Sequence, residues 1–269
     1  MTTLTAGTAF TDRAQLVGKR WGAGAIGIVA VLLLWSIAGH FEWFKGTIPT
    51  PWVVIETIHD KGWDYYANNF GPTIELSLRG FMWGNLLAIG LALLVVIVPL
   101  VEGVATQLAI ISYCTPIIAV APIVQVAFAE VQTMIVFLAA ISVFFTTMIG
   151  TLSGLRSPQQ ASLDLVRVYG GGTFKQLIRV RIVSALPATM GALKIAAPAA
   201  VLGAVLGEFL AMPEKGAGPA LIIAQQGGDI PAVWAIALLA GAVAGIGYGI
   251  VAFISVFVTR YSTGLAGSK

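Results

Sequence analysis

Long apolar runs alternate with short polar segments along most of this chain. A helix of about 20 mostly apolar residues crosses the hydrocarbon core of a bilayer, so each run of this length predicts a membrane span. The pattern therefore predicts an all-α integral membrane protein with about six transmembrane helices. The predicted spans are 23–41, 73–99, 104–128, 131–152, 188–211 and 230–258.

The composition agrees with a membrane protein and excludes several other classes. Hydrophobic residues make up 58% of the chain and charged residues only 10%, against about 25% charged residues in a soluble domain. The single cysteine, Cys114, cannot form an intrachain disulfide, and the two histidines, His40 and His59, are well separated. Because neither a metal site nor nucleophilic chemistry is indicated, we predict that the chain is not an enzyme.

Lysines and arginines concentrate on one side of the predicted spans, and such an excess marks the cytoplasmic side. It predicts cytoplasmic tails at 1–22 and 259–269, a transmembrane domain over 23–258, and an extracytoplasmic segment at 42–72. Since topology explains the positive charge, nucleic acid is not a predicted partner. The residues on the basic side are Arg13, Lys19, Arg20, Arg156, Arg167, Lys175, Arg179, Arg181, Lys194, Arg260 and Lys269.

The segment 153–187, between the fourth and fifth spans, is polar and basic but carries signals of ordered structure. Ser157 and Thr173 are each followed three residues later by glutamine, which is a helix N-cap pattern. Three glycines at 170–172 supply the freedom that a helix end and a tight turn require. We therefore predict two short helices with a glycine turn between them, and an ordered loop of this kind favours docking onto a partner.

This segment resembles the EAA loop of the permease subunits of ATP-binding-cassette (ABC) importers, whose pattern is near E-A-A-x3-G-x9-I-x-L-P. The stretch DLVRVYG aligns Asp164 with the family's glutamate and Gly170 with its glycine. Val180 falls on the isoleucine position, and Leu186-Pro187 matches a second Leu-Pro pair of many members. The motif is degenerate, because the two small residues after the glutamate and the first Leu-Pro pair are replaced.

Three further stretches resemble the permeases of the nitrate, sulfonate, taurine and bicarbonate group. They are IPTPWVVIETI, in which two prolines precede a predicted short helix from Trp52 to Ile58, TIELSLRGFMWGNLLAIGLAL, and KIAAPAAVLGAVLGEFLAMPEKGAGPALI. The resemblance covers about 42–258. It implies the type I importer permease fold in a bacterial plasma membrane, with a cytoplasmic coupling helix between helices 4 and 5.

The resemblance also implies a function and partners. The chain would form the translocation pathway for a small solute delivered by an extracytoplasmic substrate-binding protein. Separate ATPase subunits would bind ATP and magnesium, and a second permease copy would complete a homodimer. No GxxxxGK[ST] phosphate loop occurs here, so neither ATP hydrolysis nor a cofactor is expected in this chain. The predicted solute is a small anion or a sulfonate-like compound, and the alternative solutes are a vitamin or pyrimidine precursor or an aromatic acid. The alternative class of protein is a stand-alone secondary transporter.

Two groups of residues are candidate functional sites. Leu163, Val166 and Tyr169 recur at three-residue spacing and are expected to form the inserted face of the coupling helix. The resemblance adds Asp164, Gly170, Leu186 and Pro187 to this ATPase-coupling group. Polar residues within the predicted spans are candidates for the translocation pathway. These are Arg79, Gln125, Glu130, Lys194 and Glu208.

Simpler explanations exist for some of these polar residues. Glu75 and Arg79 are four residues apart, which fits an ion pair within one helix. Lys194 is close enough to the cytoplasmic end of its span to reach the interface. Glycines at small-xxx-small spacing, including Gly80/Gly84 and the series 241–249, are mostly expected to let helices of the same chain approach closely.

Overall fold

The computed structural model describes residues 24–128 and 130–266, and all regular structure within these residues is helical. The predicted tail at 1–22 lies outside them. The helices of this part of the chain are α1 (Gly24–His40), α2 (Trp43–Gly46), α3 (Pro51–Ile97), α4 (Glu102–Cys114), α5 (Ile117–Ala127), α6 (Val131–Arg156), α7 (Gln160–Val168), α8 (Thr173–Gln176), α9 (Ile182–Ala211), α10 (Ala217–Gln226) and α11 (Ile230–Ala266).

Several of these helices are suited to cross a membrane. Within the described residues, four helical stretches are long and apolar enough: Trp43–Ile97, Val131–Arg156, Thr173–Ala211 and Ile230–Arg260. The bent pair of α4 and α5 would make a fifth span, and α1 is a shorter apolar helix. The all-helical membrane fold is confirmed, while the count of six spans stays a prediction.

The predicted third span, 104–128, is not one continuous helix. The helical stretch Pro99–Cys114 includes α4, and α5 follows it after Thr115 and Pro116. The two are bent by 106° relative to each other. Proline lacks a backbone N–H and disfavours helical backbone in the residue before it. Thr115 is accordingly extended, with ψ 122°. The prediction of a straight span is therefore corrected to a broken or re-entrant one.

The second span is longer than predicted. α3 begins at Pro51 after the extended residue Thr50, as the proline pair predicts, and it includes the short helix predicted from Trp52 to Ile58. Gly62 interrupts α3 with φ 74° and ψ 163°, a conformation that glycine adopts readily. α3 is therefore a short segment and a long span joined at a glycine. At the other end of the chain, α11 continues into the predicted tail at 259–269.

α6 occupies the centre of the fold, between α3 and α9. A Cβ atom on Gly84 would lie 2.5 Å from the carbonyl oxygen of Ala140, so α3 and α6 meet backbone to backbone. On the other side, a Cβ on Gly203 would lie 2.9 Å from the Cα of Ala139. One hydrogen bond crosses this core, because Thr147 Oγ1 donates to Asn85 Oδ1 at 2.5 Å. Close packing through small residues is thus confirmed for α3, α6 and α9.

The glycine series of α11 behaves differently. Gly241, Gly245 and Gly249 are exposed, and no atom outside the local helix lies within 4 Å of a Cβ placed on any of them. The expectation that this series packs within the subunit is therefore wrong for these three residues.

The order of contacts along the helices defines two ends of the molecule. The α7 end gathers α7, α8, the C-termini of α3 and α6, and the N-terminus of α9. There Arg156 Nη2 lies 2.5 Å from Glu102 Oε2. The α10 end gathers α10, the start of α3, the N-terminus of α6, and the C-terminus of α9. There Lys61 Nζ lies 3.0 Å from Asp229 Oδ2.

Replacing Gly84 with alanine is expected to destabilise the fold by about 1–3 kcal/mol, because the new methyl group would overlap Val143 and the backbone of Ala140. The measurement is the melting temperature of the purified protein in detergent. Gly90→Ala is the matched control on the same helix, since no neighbouring atom lies within 4 Å of its Cβ position. Equal melting temperatures for the two variants would contradict the close contact of α3 with α6.

Candidate functional site

The α7 end contains the predicted coupling helix, which starts later than the cap pattern predicted. α7 begins at Gln160, and the Ser157 hydroxyl donates to the carbonyl oxygen of Gly154 at 2.8 Å rather than capping the helix. Thr173 is the first residue of α8, and Gly172 occupies the cap position. Both cap predictions are therefore wrong, although both helices exist.

The end of α7 follows the prediction closely. Gly170 has φ 75° and its N–H donates to Arg167 O at 2.9 Å, while the N–H of Gly171 donates to Val166 O at 2.8 Å. This pair of hydrogen bonds is a Schellman motif, which closes a helix with a left-handed residue. A Cβ on Gly171 would lie 2.7 Å from Val166 O, so both glycines are needed for the turn.

Gln176 fixes α7 to the rest of the α7 end. Its side chain is buried, and Nε2 donates to the carbonyl oxygen of Leu163 at 3.0 Å. Arg181 adds a second link, since its Nη1 donates to Leu155 O at the end of α6 at 3.1 Å. A π-helical turn, Leu177–Arg181, joins α8 directly to α9. α7, α8 and the start of α9 are therefore held together by specific contacts.

The accessible face of α7 differs from the predicted one. Leu163 is buried and Val166 is half-buried, so neither belongs to an open face. Tyr169, the third predicted residue, is 81% exposed, and Leu165 and Val168 beside it are 59% and 83% exposed. Exposed large apolar side chains that lie together on a polar segment indicate an interaction surface.

Basic and acidic groups surround this face. A cavity of about 250 Å³ lies beside Leu165 and Tyr169 and is bordered by Lys175 and Arg179. Asp164 is exposed, and one of its carboxylate oxygens accepts a hydrogen bond from Gln160 Nε2 at 3.0 Å. The remaining predicted coupling residues, Leu186 and Pro187, lie in the first two turns of α9 rather than on α7.

Two of the five predicted pathway residues meet at the α10 end. Arg79 and Glu130 line one cleft of about 400 Å³ between α3 and α6. Arg79 Nη2 lies 2.5 Å from Glu75 Oε1, so the ion pair within the helix is confirmed. Gln125 is exposed on α5, and Lys194 is half-buried on α9; neither lines this cleft.

Glu208, the fifth residue, is fully buried and holds α10 in place. Its Oε2 accepts hydrogen bonds from Thr73 Oγ1 at 2.9 Å and from the N–H of Gly218 at 3.0 Å. The N–H of Ala217 donates to Thr73 Oγ1 at 2.9 Å. A carboxylate at a helix N-terminus is favoured by the helix dipole and by the free N–H groups there. Glu208 thus connects α9, α3 and α10, and its side chain does not face an open pathway.

A second connection at this end involves Asp229. Its Oδ1 accepts a hydrogen bond from the N–H of Ala232 at 3.1 Å, and its Oδ2 pairs with Lys61. Partial burial opposes ionisation, but the hydrogen bonds from Lys61 and Ala232 lower the pKa of Asp229 below its ordinary value. The charged carboxylate therefore ties the start of α11 to the first segment of α3.

Among the described residues, a further large cavity contains none of the predicted coupling or pathway residues. A cavity of about 620 Å³ lies between α1 and the start of α3, but none of the predicted site residues lines it. Among the described residues, no group of three or more His, Cys, Asp or Glu side chains could hold a metal ion.

The described residues thus form an apolar helical protein with a short amphipathic helix fixed at one end. The chain belongs to the family of binding-protein-dependent transport system inner membrane components, whose model matches residues 84–262. It is accordingly a multi-pass membrane permease of the ABC importer type and not a catalytic enzyme.

Individual relatives agree with this family. A probable ABC transporter permease protein of Haemophilus influenzae is 28% identical over 79% of this chain and 86% of its own length. A formylaminopyrimidine transport permease protein of Halalkalibacterium halodurans is 26% identical over 68% of this chain and 74% of its own length. A riboflavin transport system permease protein of Chloroflexus aurantiacus is 32% identical over 48% of each chain.

Glu208→Ala is expected to loosen α10, because it leaves the buried N–H of Gly218 without its acceptor, at a cost of about 1–3 kcal/mol. The measurement is the rate at which a protease cleaves the segment between α9 and α11 in the purified protein. Glu214→Ala, an exposed carboxylate of the same segment, is the control and should leave the rate unchanged. Equal cleavage of the two variants would contradict the anchoring role of Glu208.

Proposed function

We propose that this permease subunit couples solute movement to ATP hydrolysis by a separate ATPase, and that α7 is the contact. The observation that carries this proposal is the exposed apolar face of Leu165, Val168 and Tyr169 on a helix that Gln176 fixes to the membrane domain. A fixed helix with an open apolar face can insert into a groove and transmit movement as a lever.

The proposal gives each end of the molecule a partner. The α7 end faces the cytoplasm together with both termini, and ATPase subunits bind there, carrying ATP and magnesium; this chain holds no cofactor. The α10 end faces outwards and receives a substrate-binding protein. The positive-inside distribution of lysine and arginine supports this orientation.

A second copy of the same chain completes the pathway in this proposal. The exposed stripe of Gly241, Gly245 and Gly249 on α11 supports a homodimer, since small residues let helices of two subunits approach closely in a membrane. This stripe is open in the single chain, in contrast to Gly80 and Gly84 of α3.

The class of transported solute is proposed from the names of the relatives. The sequence predicts a small anion of the nitrate, sulfonate or taurine type, and the relatives give this prediction no support. Two relatives are named for formylaminopyrimidine and for riboflavin, both of which contain nitrogen heterocycles. These names favour the alternative prediction of a vitamin or pyrimidine precursor, and we propose a solute of that kind.

Gly170→Val is expected to abolish coupling while the protein still inserts into the membrane, because valine at φ 75° strains the turn by about 1–3 kcal/mol and reorients α7. The measurement is the amount of ATPase that co-purifies with the tagged chain from its native host in mild detergent. Gly172→Val is the matched control, since Gly172 has φ −79° and open space around its Cβ position. Normal recovery of the ATPase with Gly170→Val would contradict the coupling role of this turn.

Leu165→Asp should reduce ATPase recovery at least ten-fold, because a charge replaces an apolar contact at the centre of the proposed interface. The same co-purification measures the effect. Leu100→Asp is the control, since Leu100 is an exposed leucine at the α7 end but outside α7. If both variants retained the ATPase equally, the exposed face of α7 would not be the docking surface.

A further inference from the structure

The cleft between α3 and α6 has the size and the walls of a small-molecule site. Its volume of about 400 Å³ lies within the range of about 300–1,000 Å³ that is usual for ligand pockets. Trp83 lines it one helical turn after Arg79, and this indole is 61% exposed. Phe128 and Phe137 form another part of the wall, with ring centroids 5.4 Å apart. Three aromatic side chains therefore line the cleft, together with the aliphatic Leu87, Val136 and Ala140.

The two charged side chains of the cleft, Arg79 and Glu130, differ in their ion pairing. The guanidinium of Arg79 is already paired with Glu75 of the same helix at 2.5 Å. Glu130 accepts a hydrogen bond from Thr133 Oγ1 at 2.8 Å, but it forms no ion pair with any of the described residues. Arg79 therefore has an acidic partner on its own helix, whereas Glu130 has no basic partner among the described residues.

Lipid is a poor occupant of this face. Arg79 and the amide of Gln132 border the cleft on α3 and α6, which are long and apolar enough to cross a membrane, and Glu130 borders it immediately before α6. Ionised and polar groups at such positions face protein or a water-filled cavity, because hydrocarbon solvates them poorly. The cleft is thus suited to a hydrated, polar solute.

We propose that this cleft is a binding subsite for a flat, nitrogen-containing ring that is neutral or positively charged, on the path of the solute through the permease. The inference rests on the proposed function. The ring stacks on Trp83, and the carboxylate of Glu130 accepts a hydrogen bond from a ring N–H or an amino group. A small anion would instead meet the carboxylate of Glu130, which forms no ion pair with any of the described residues.

Binding to the full chain in lipid nanodiscs tests this proposal. The probes are 4-aminopyridine, which is a flat cation at neutral pH, and the anions benzoate and methanesulfonate, each followed by ligand-observed saturation-transfer NMR. We expect 4-aminopyridine to bind and both anions to bind more weakly. Glu130→Gln should weaken the binding of 4-aminopyridine about ten-fold, the usual effect of losing a hydrogen bond to a charged group. Trp83→Ala should weaken it by a similar factor, because stacking is lost.

Two further variants separate this effect from loss of folding. Gln132→Glu adds a carboxylate to the cleft and should strengthen the binding of 4-aminopyridine several-fold, a gain that misfolding cannot produce. Glu214→Gln removes an exposed carboxylate outside the cleft and should change nothing. Absence of binding by 4-aminopyridine, preference for either anion, or unchanged binding in the Glu130 and Trp83 variants would each overturn the proposal. Because the assay contains the permease alone, its outcome is independent of ATPase docking at α7.

Discussion

The close approach of α6 to both α3 and α9 is the constraint on which the other features depend. Glycines allow this approach, since a Cβ on Gly84 or Gly203 would overlap the backbone of α6. In a bilayer, where lipid tails are as apolar as leucine, such contacts replace the hydrophobic effect as the source of helix association. The three-helix core then fixes where the α7 end and the α10 end lie relative to each other.

α9 connects the two ends. At one end, the π-helical turn Leu177–Arg181 joins it to α8 without an intervening loop, and Gln176 ties α8 to α7. At the other end, Glu208 anchors α10 and reaches Thr73 of α3. A displacement of α7 would therefore be passed to α9. The far end of α9 is bound to α10 and to α3. The cleft with Arg79 and Glu130 lies beside this core, between α3 and α6, where a change in helix packing alters its shape.

Local signals predicted the end of α7 and the ion pair of α3 but misplaced the starts of α7 and α8, and contacts between distant residues were hidden from the sequence. The glycines after Val168 required a left-handed helix end, and the four-residue spacing of Glu75 and Arg79 required a shared helix face; both features are present. The spacing of Leu163, Val166 and Tyr169 defined a stripe, but nothing in it showed that Leu163 faces the protein interior. The partnership of Glu208 with Thr73 joins residues 135 positions apart, so no local pattern could reveal it. The bend before α5 had a local signal, the proline at position 116. The continuous apolar run over 104–128 nevertheless led to the prediction of one span.

The buried hydrogen bond between Thr147 and Asn85 limits how this permease can change shape. It fixes the register of α3 against α6, and a slide of one helix along the other by a single turn would separate both polar groups inside an apolar core. Shear between these two helices is therefore unfavourable, whereas rocking about their contact preserves the bond. Alternating access in this protein is accordingly expected to preserve the register of α3 against α6, so that these two helices move relative to each other by rocking about their contact and not by sliding.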